Sequence, residues 1–156
     1  MANVKLTELA AITTTDDATD VVAVVDVSAD ATKKITVANL VSAQARTYTA
    51  AQRGEITTLT DGANVSVDLS ASNNYSLTLA GNRTLDNPSN IVAGQSGSIF
   101  IVQDGTGSRT LAYGSYYDFA GGTAPTLTTD ASAVDRIDYL VRSATSIHCV
   151  FTANYS

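Results

Sequence analysis

The sequence predicts a mostly-β protein: an antiparallel β-sandwich or jelly-roll-like domain, preceded by an N-terminal arm with a β-hairpin and a short helix. Three observations carry this expectation. Apolar and polar residues alternate at Val65, Val67 and Leu69 and again at Tyr75, Leu77 and Leu79, which puts one side of each segment into a core. Short apolar runs recur between turn residues, at 99–102 (IFIV), 137–141 (IDYLV) and 147–151 (IHCVF), the last two separated by the polar turn 142–146; runs of that length bounded by turns read as strands. Only 15% of the 156 residues are charged while 44% are hydrophobic, a balance that suits strands with brief polar turns and leaves few charges for long solvated helices.

Residues 1–45 read as the arm, 46–54 as a linker and 55–156 as the β domain. In the arm, the β-branched run 21–27 (VVAVVDV) is long enough for one strand, 28–32 (SADAT) is turn chemistry, and 33–37 (KKITV) pairs back to close a hairpin. Thr36 is placed to cap a short helix carrying Val37, Leu40 and Val41 at i, i+3, i+4 spacing. A lone hairpin is marginal in water, and units below about 40 residues rarely bury enough apolar surface to offset chain entropy. The arm must therefore lean on the rest of this chain, a symmetry mate or another protein of an assembly, and Val22, Val24, Ile35, Val37, Leu40 and Val41 are the candidate docking residues. In the β domain the run 99–102 lacks alternation and reads as a central strand covered on both faces. Asp61-Gly62, Asp104-Gly105, Gly114 and Gly121-Gly122 mark turns or bulges. No internal repeat and no heptad run is visible.

Several function classes are disfavoured by composition. A net charge of -6 repels a phosphate backbone, and the one adjacent basic pair, Lys33-Lys34, is too small a patch to reverse that; no nucleic-acid partner is expected. No apolar stretch of about 18 residues exists to span a bilayer, and the N-terminus lacks the apolar core of a signal peptide, so no membrane association is expected and synthesis is cytoplasmic. The single cysteine, Cys149, precludes an internal disulfide and reads as a buried strand cysteine, with an intermolecular bridge as the alternative. It adjoins the single histidine, His148, but neighbours on a strand point to opposite faces, which leaves Cys149 in the core and His148 outside rather than a catalytic dyad. Glu8 and Glu55 are the only glutamates and both precede the strands, so the paired acids of sugar hydrolysis are missing. No catalytic residue, metal site or cofactor is predicted: Asp16, Asp17 and Asp20 lack calcium-loop spacing, and 105–107 (GTG) is followed by no phosphate-binding lysine. The segment with recognition potential is 113–119 (YGSYYDF), where Tyr113, Tyr116 and Tyr117 are candidates for contacting carbohydrate or filling an interface pocket. The bland alternative has Tyr113 and Phe119 plugging the end of the core, with Tyr116 and Tyr117 on the surface.

The run 20–40 (DVVAVVDVSADATKKITVANL) resembles the N-terminal segments of phage fibre and minor structural proteins, and 79–88 (LAGNRTLDNP), 103–114 (QDGTGSRTLAYG) and 119–129 (FAGGTAPTLTT) resemble their C-terminal β domain. The resemblance implies a non-enzymatic virion structural protein on the particle surface. It further implies a homotrimer joined through the later strands, with the leading arm fastened to the major capsid or another virion protein. Because the long repetitive shaft of many fibres is missing, a capsid decoration or head-fibre protein is favoured over a tail-fibre or adaptor protein that binds host-surface glycan.

Overall fold

The computed structural model describes residues 21–26, 31–36 and 50–155. The chain divides into two compact units, Met1–Ala51 and Gln52–Ser156. In the first, β1 (Val21–Asp26) and β2 (Ala31–Thr36) pair as an antiparallel hairpin, with Val22 opposite Ile35 and Val24 opposite Lys33. The expected short helix, with Val37, Leu40 and Val41, lies outside the described residues.

The second unit is built of β3 (Ile56–Thr58), β4 (Asn64–Val65), β5 (Asn74–Leu79), β6 (Arg83–Leu85), β7 (Ser96–Gln103), β8 (Leu111–Tyr113), β9 (Tyr117–Phe119), β10 (Val134–Ser143) and β11 (Ser146–Thr152). They form a six-stranded sheet in the order β3-β5-β7-β10-β11-β9 and a three-stranded sheet in the order β4-β6-β8. From β3 to β8 the chain visits the two sheets in turn, so each pair of successive strands makes one coil and three coils stack. Within each sheet the coils pair in parallel, Thr57 beside Tyr75 beside Ile99 on one side and Val65 beside Leu85 beside Tyr113 on the other. The stack ends when β10 pairs antiparallel with β7 and β11 antiparallel with β10, after which β9 runs parallel to β11.

The mostly-β class is as the sequence predicts, but the sheets are mixed rather than antiparallel. Period-two alternation reports which side chains face inward, not the direction of the neighbouring strand. When the chain crosses to the other sheet after each short strand, it re-enters the first in the same direction, which makes that neighbour parallel. The coils also escape sequence comparison because their lengths differ: 18 residues separate Ile56 from its partner Asn74, and 24 separate Asn74 from Ser98.

One core lies between the sheets. Tyr75, Leu77, Leu79, Ile99, Ile101, Ile137 and Ile147 from the larger sheet meet Val65, Leu85 and Leu111 from the smaller, each such side chain contributing roughly 1.5–3 kcal/mol. Polar side chains fasten one coil to the next. Asp61, in the connection between β3 and β4 of the first coil, holds Arg83 of the second through Nε at 2.8 Å and Nη2 at 2.6 Å, and Asn82 of the second accepts the Thr110 N–H of the third at 3.1 Å. At Gly97 a Cβ would collide with the Asn73 carbonyl, which also accepts the Tyr139 hydroxyl at 2.9 Å; glycine is required by that close approach.

Two buried polar groups anchor the long connection between β9 and β10. Gln103 accepts the Arg109 N–H at 2.9 Å and donates to the carbonyls of Arg109 and Thr128 at 2.9 and 2.8 Å. Asp135, 2% exposed, accepts the Thr128 N–H and hydroxyl, both at 2.8 Å, and the Asn154 N–H at 2.9 Å. A buried carboxyl persists only when its lone pairs are engaged, and here they tie the connection and the chain end to β10.

Candidate functional site

The aromatic segment is the first candidate, and the structure turns most of it inward. In β9 the alternation runs Tyr117 in, Asp118 out, Phe119 in, because Tyr117 pairs with Ile147 and Phe119 with Cys149 and these inward-facing residues set the side. Tyr117 is 8% exposed. Tyr113, continuing the inward column of Val65 and Leu85, packs edge-on against Phe119 at 4.8 Å and Tyr117 at 6.0 Å between ring centroids. Burial raises the pKa of both phenols, and neither hydroxyl has a hydrogen-bond partner among the described residues. Tyr116 is half-buried against the same core, and its N–H is held by Asn87 Oδ1 at 2.9 Å. The segment closes the core where the smaller sheet stops at β8 while the larger continues through three more strands. The sequence reading placed Tyr117 on the surface; it faces the core because its strand partner does.

His148 is exposed and Cys149 buried, on opposite faces of β11. Burial pushes the Cys149 thiol up to about 12, and the thiol donates to the Ile147 carbonyl at 3.4 Å. His148 lies opposite Asp118 in the register of β11 and β9, but Asp118 accepts instead from the Ser146 hydroxyl at 2.6 Å. Among the described residues no group of three or more His, Cys, Asp or Glu side chains could hold a metal ion, and no helix is long and apolar enough to cross a membrane. Of the candidate docking residues, Val22, Val24 and Ile35 lie on the paired strands of the hairpin, and Val37, Leu40 and Val41 fall outside the described residues.

The second candidate is a surface that the sequence reading missed: the outer face of the six-stranded sheet. The run 99–102 was expected to be covered on both faces. Ile99 and Ile101 are indeed buried, but Phe100 and Val102 point outward and remain half-exposed. Beside them stand Val134, opposite Val102, and Arg136, opposite Phe100. Farther along the same face Leu140 and Val150 are 51% and 65% exposed. A polar strip crosses this surface: the Ser98 hydroxyl donates to Asp138 at 2.6 Å, Arg136 donates to the other carboxylate oxygen at 2.8 and 3.1 Å, and the Tyr155 ring lies 4.9 Å from the Arg136 guanidinium. The available signal was the missing alternation itself, since a strand apolar at every position needs a cover on each side.

No curated protein and no solved structure matches the chain. A family model does: residues 57–142, from within β3 to near the end of β10, match the family described as "Putative phage tail fibre C-terminal domain". The matched span contains the second and third coils whole, nearly all of the first, and the strand that ends the stack, and by this match the chain belongs to that family of phage fibre proteins.

Proposed function

We propose that this virion-associated protein is a structural subunit of a phage tail fibre, and that the Gln52–Ser156 unit associates with copies of itself, as a trimer, through the outer face of the six-stranded sheet. The observation that carries this reading is the apolar surface on one sheet face, the half-buried Phe100, Val102 and Val134 on one side of the polar strip and the exposed Leu140 and Val150 on the other. Exposed apolar surface of this kind is normally covered by a partner, and the Ser98–Asp138–Arg136 strip supplies directional contacts that fix register. The trimer count comes from the resemblance to fibre proteins.

The N-terminal unit attaches the subunit to the particle through Val22, Val24, Ile35, Val37, Leu40 and Val41. The same module docked on the major capsid protein would serve as a head fibre or decoration protein. Labelling intact particles separates the two locations. Self-association is tested by sedimentation velocity on the full chain and on Phe100→Asp and Val150→Asp. A trimer that dissociates in both variants with unchanged circular dichroism supports the reading; a wild-type monomer at high concentration removes it. Attachment is tested by adding full-length protein, or protein without residues 1–45, to particles lacking it. Equal occupancy would count against the anchor.

A further inference from the structure

The chain contains two Asp-Gly steps, Asp61-Gly62 and Asp104-Gly105, and no Asn-Gly step. Such a step is open to self-modification, because glycine has no side chain to shield its nitrogen from the carboxyl that precedes it. In that reaction the glycine nitrogen attacks the aspartate Cγ. An N–Cγ bond forms, the amide proton and the carboxyl hydroxyl leave as water, and a five-membered succinimide closes. Water then adds at the main-chain carbonyl carbon and breaks its bond to the glycine nitrogen, so the chain continues through Cγ as isoaspartate. No electrons are exchanged, and solvent is the only other reactant. The ring closes readily from a neutral carboxyl, whose oxygen can depart as water, and poorly from a carboxylate.

In this fold both carboxylates are held in the charged form. Asp61 Oδ1 accepts from Arg83 Nε at 2.8 Å and from the Ala80 N–H at 3.2 Å, and Oδ2 accepts from Arg83 Nη2 at 2.6 Å. Asp104 Oδ2 accepts from Arg109 Nε and Nη2 at 3.0 and 2.8 Å, and Oδ1 accepts from the Thr106 and Gly107 N–H groups, both at 2.9 Å. Charge-assisted, two-pronged bonds of this kind favour the ionised acid and fix its orientation. Accordingly both groups lie below the ordinary value of 3.8, chiefly through the hydrogen bond from the arginine. Among the described residues three arginine–aspartate pairs form, and two of them fall on the two Asp-Gly steps. Backbone conformation does not demand either glycine, since neither has a positive φ, and a Cβ at Gly105 would meet nothing within 4 Å.

We infer that Arg83 and Arg109 guard the two Asp-Gly steps against conversion to isoaspartate, and that Asp61 and Asp104 are the modification sites exposed when a guard is lost. Either oxygen must be released by its donors before it can take a proton and leave. The consequence is structural, because isoaspartate adds one carbon to the main chain. At residue 61 it would displace the connection between β3 and β4 and the clasp to the second coil. At residue 104 it would misplace the turn that delivers Arg109 to Gln103. A virion-associated protein is not renewed after assembly, so slow chemistry of this kind accumulates over the life of the particle. The inference stands apart from self-association and attachment, since neither arginine lies on the outer sheet face or in the N-terminal unit.

The test is prolonged storage of the full chain at pH 5, followed by proteolysis, chromatography and mass spectrometry, which separate isoaspartyl from aspartyl peptides of equal mass. Wild type stored in urea supplies the unguarded rate. Native wild type should convert severalfold more slowly than this at both steps. Arg83→Gln should raise isoaspartate at residue 61 alone and Arg109→Gln at residue 104 alone, each severalfold, because every pKa unit regained by the carboxyl multiplies its neutral fraction about 10-fold. Adding Gly105→Ala to Arg109→Gln should bring residue 104 back toward the wild-type rate, since the methyl group shields the nitrogen. Native wild type converting as fast as in urea, or variants no faster than wild type, would overturn the inference. A rise at both steps in one variant would overturn it as well, because the protection would then belong to the fold as a whole. So would a rate at residue 104 that Gly105→Ala does not lower.

Discussion

Asp135→Ala is the most informative single change, because one carboxyl organises two distant stretches of chain. The substitution leaves the Thr128 N–H, the Thr128 hydroxyl and the Asn154 N–H without their acceptor. Asn154 is exposed and can turn to water, so its loss costs little. Thr128 is half-buried beside Leu127, which is 7% exposed, so its two donors are only partly open to water. Each stranded donor costs about 1–3 kcal/mol, offset in part because Asp135 itself no longer has to be kept from water. The expected net loss is roughly 2–4 kcal/mol. For a unit of about 105 residues each kcal/mol lowers the melting temperature by about 4 °C or more, so a fall of at least about 8 °C follows. The assay is urea unfolding of the full chain followed by near-ultraviolet circular dichroism of its tyrosines. A loss below about 1 kcal/mol at unchanged denaturant dependence would refute the reasoning, because it would mean that the connection is held by Leu127 packing alone.

Three further outcomes are expected. Tyr117→Phe removes a buried hydroxyl that has no partner among the described residues and should raise stability by about 1 kcal/mol; destabilisation in the same urea assay would show that the hydroxyl is satisfied. The Cys149 thiol, pushed up to about 12 by burial, should react with a disulfide reagent at pH 8 only after urea is added, and reaction in native buffer at the rate of a free thiol would contradict its placement. Asp61 and Asp104 are held below the ordinary value of 3.8, chiefly by hydrogen bonds from Arg83 and Arg109 respectively. A depressed folded-state pKa gives stability that is present above 3.8 and lost as pH falls through the lowered value. The urea midpoint should therefore drop below pH 4, less so for Asp104→Asn, and high salt should reduce the difference because these pairs are near solvent.

Much of the second unit was legible because inward positions recur at every second residue. Val65, Val67, Leu69, Tyr75, Leu77 and Leu79 are all buried as the alternation requires, and Cys149 and His148 fall on the expected sides. Strand direction was not legible, since the same alternation serves a hairpin and a coil. Asp135 gave no signal because the sequence does not show that Thr128 and Asn154 converge on it. The inward turn of Tyr117 was hidden for a related reason: the segment YYDF has two in-out phases, and only the pairing with Ile147 chooses between them. The outer-face row at Phe100 and Val102 was visible as an anomaly of pattern, yet its incomplete burial could be found only by seeing what the chain leaves uncovered.

The stacked arrangement of 56–113 also bears on how such a protein changes length over evolution. Each of these turns of chain touches mainly the one before and the one after, and the Asp61–Arg83 and Asn82–Thr110 clasps are made between adjacent turns. A gene segment encoding one complete turn can therefore be duplicated or deleted with only the local clasp to be remade, while the terminating strands β10 and β11 stay intact.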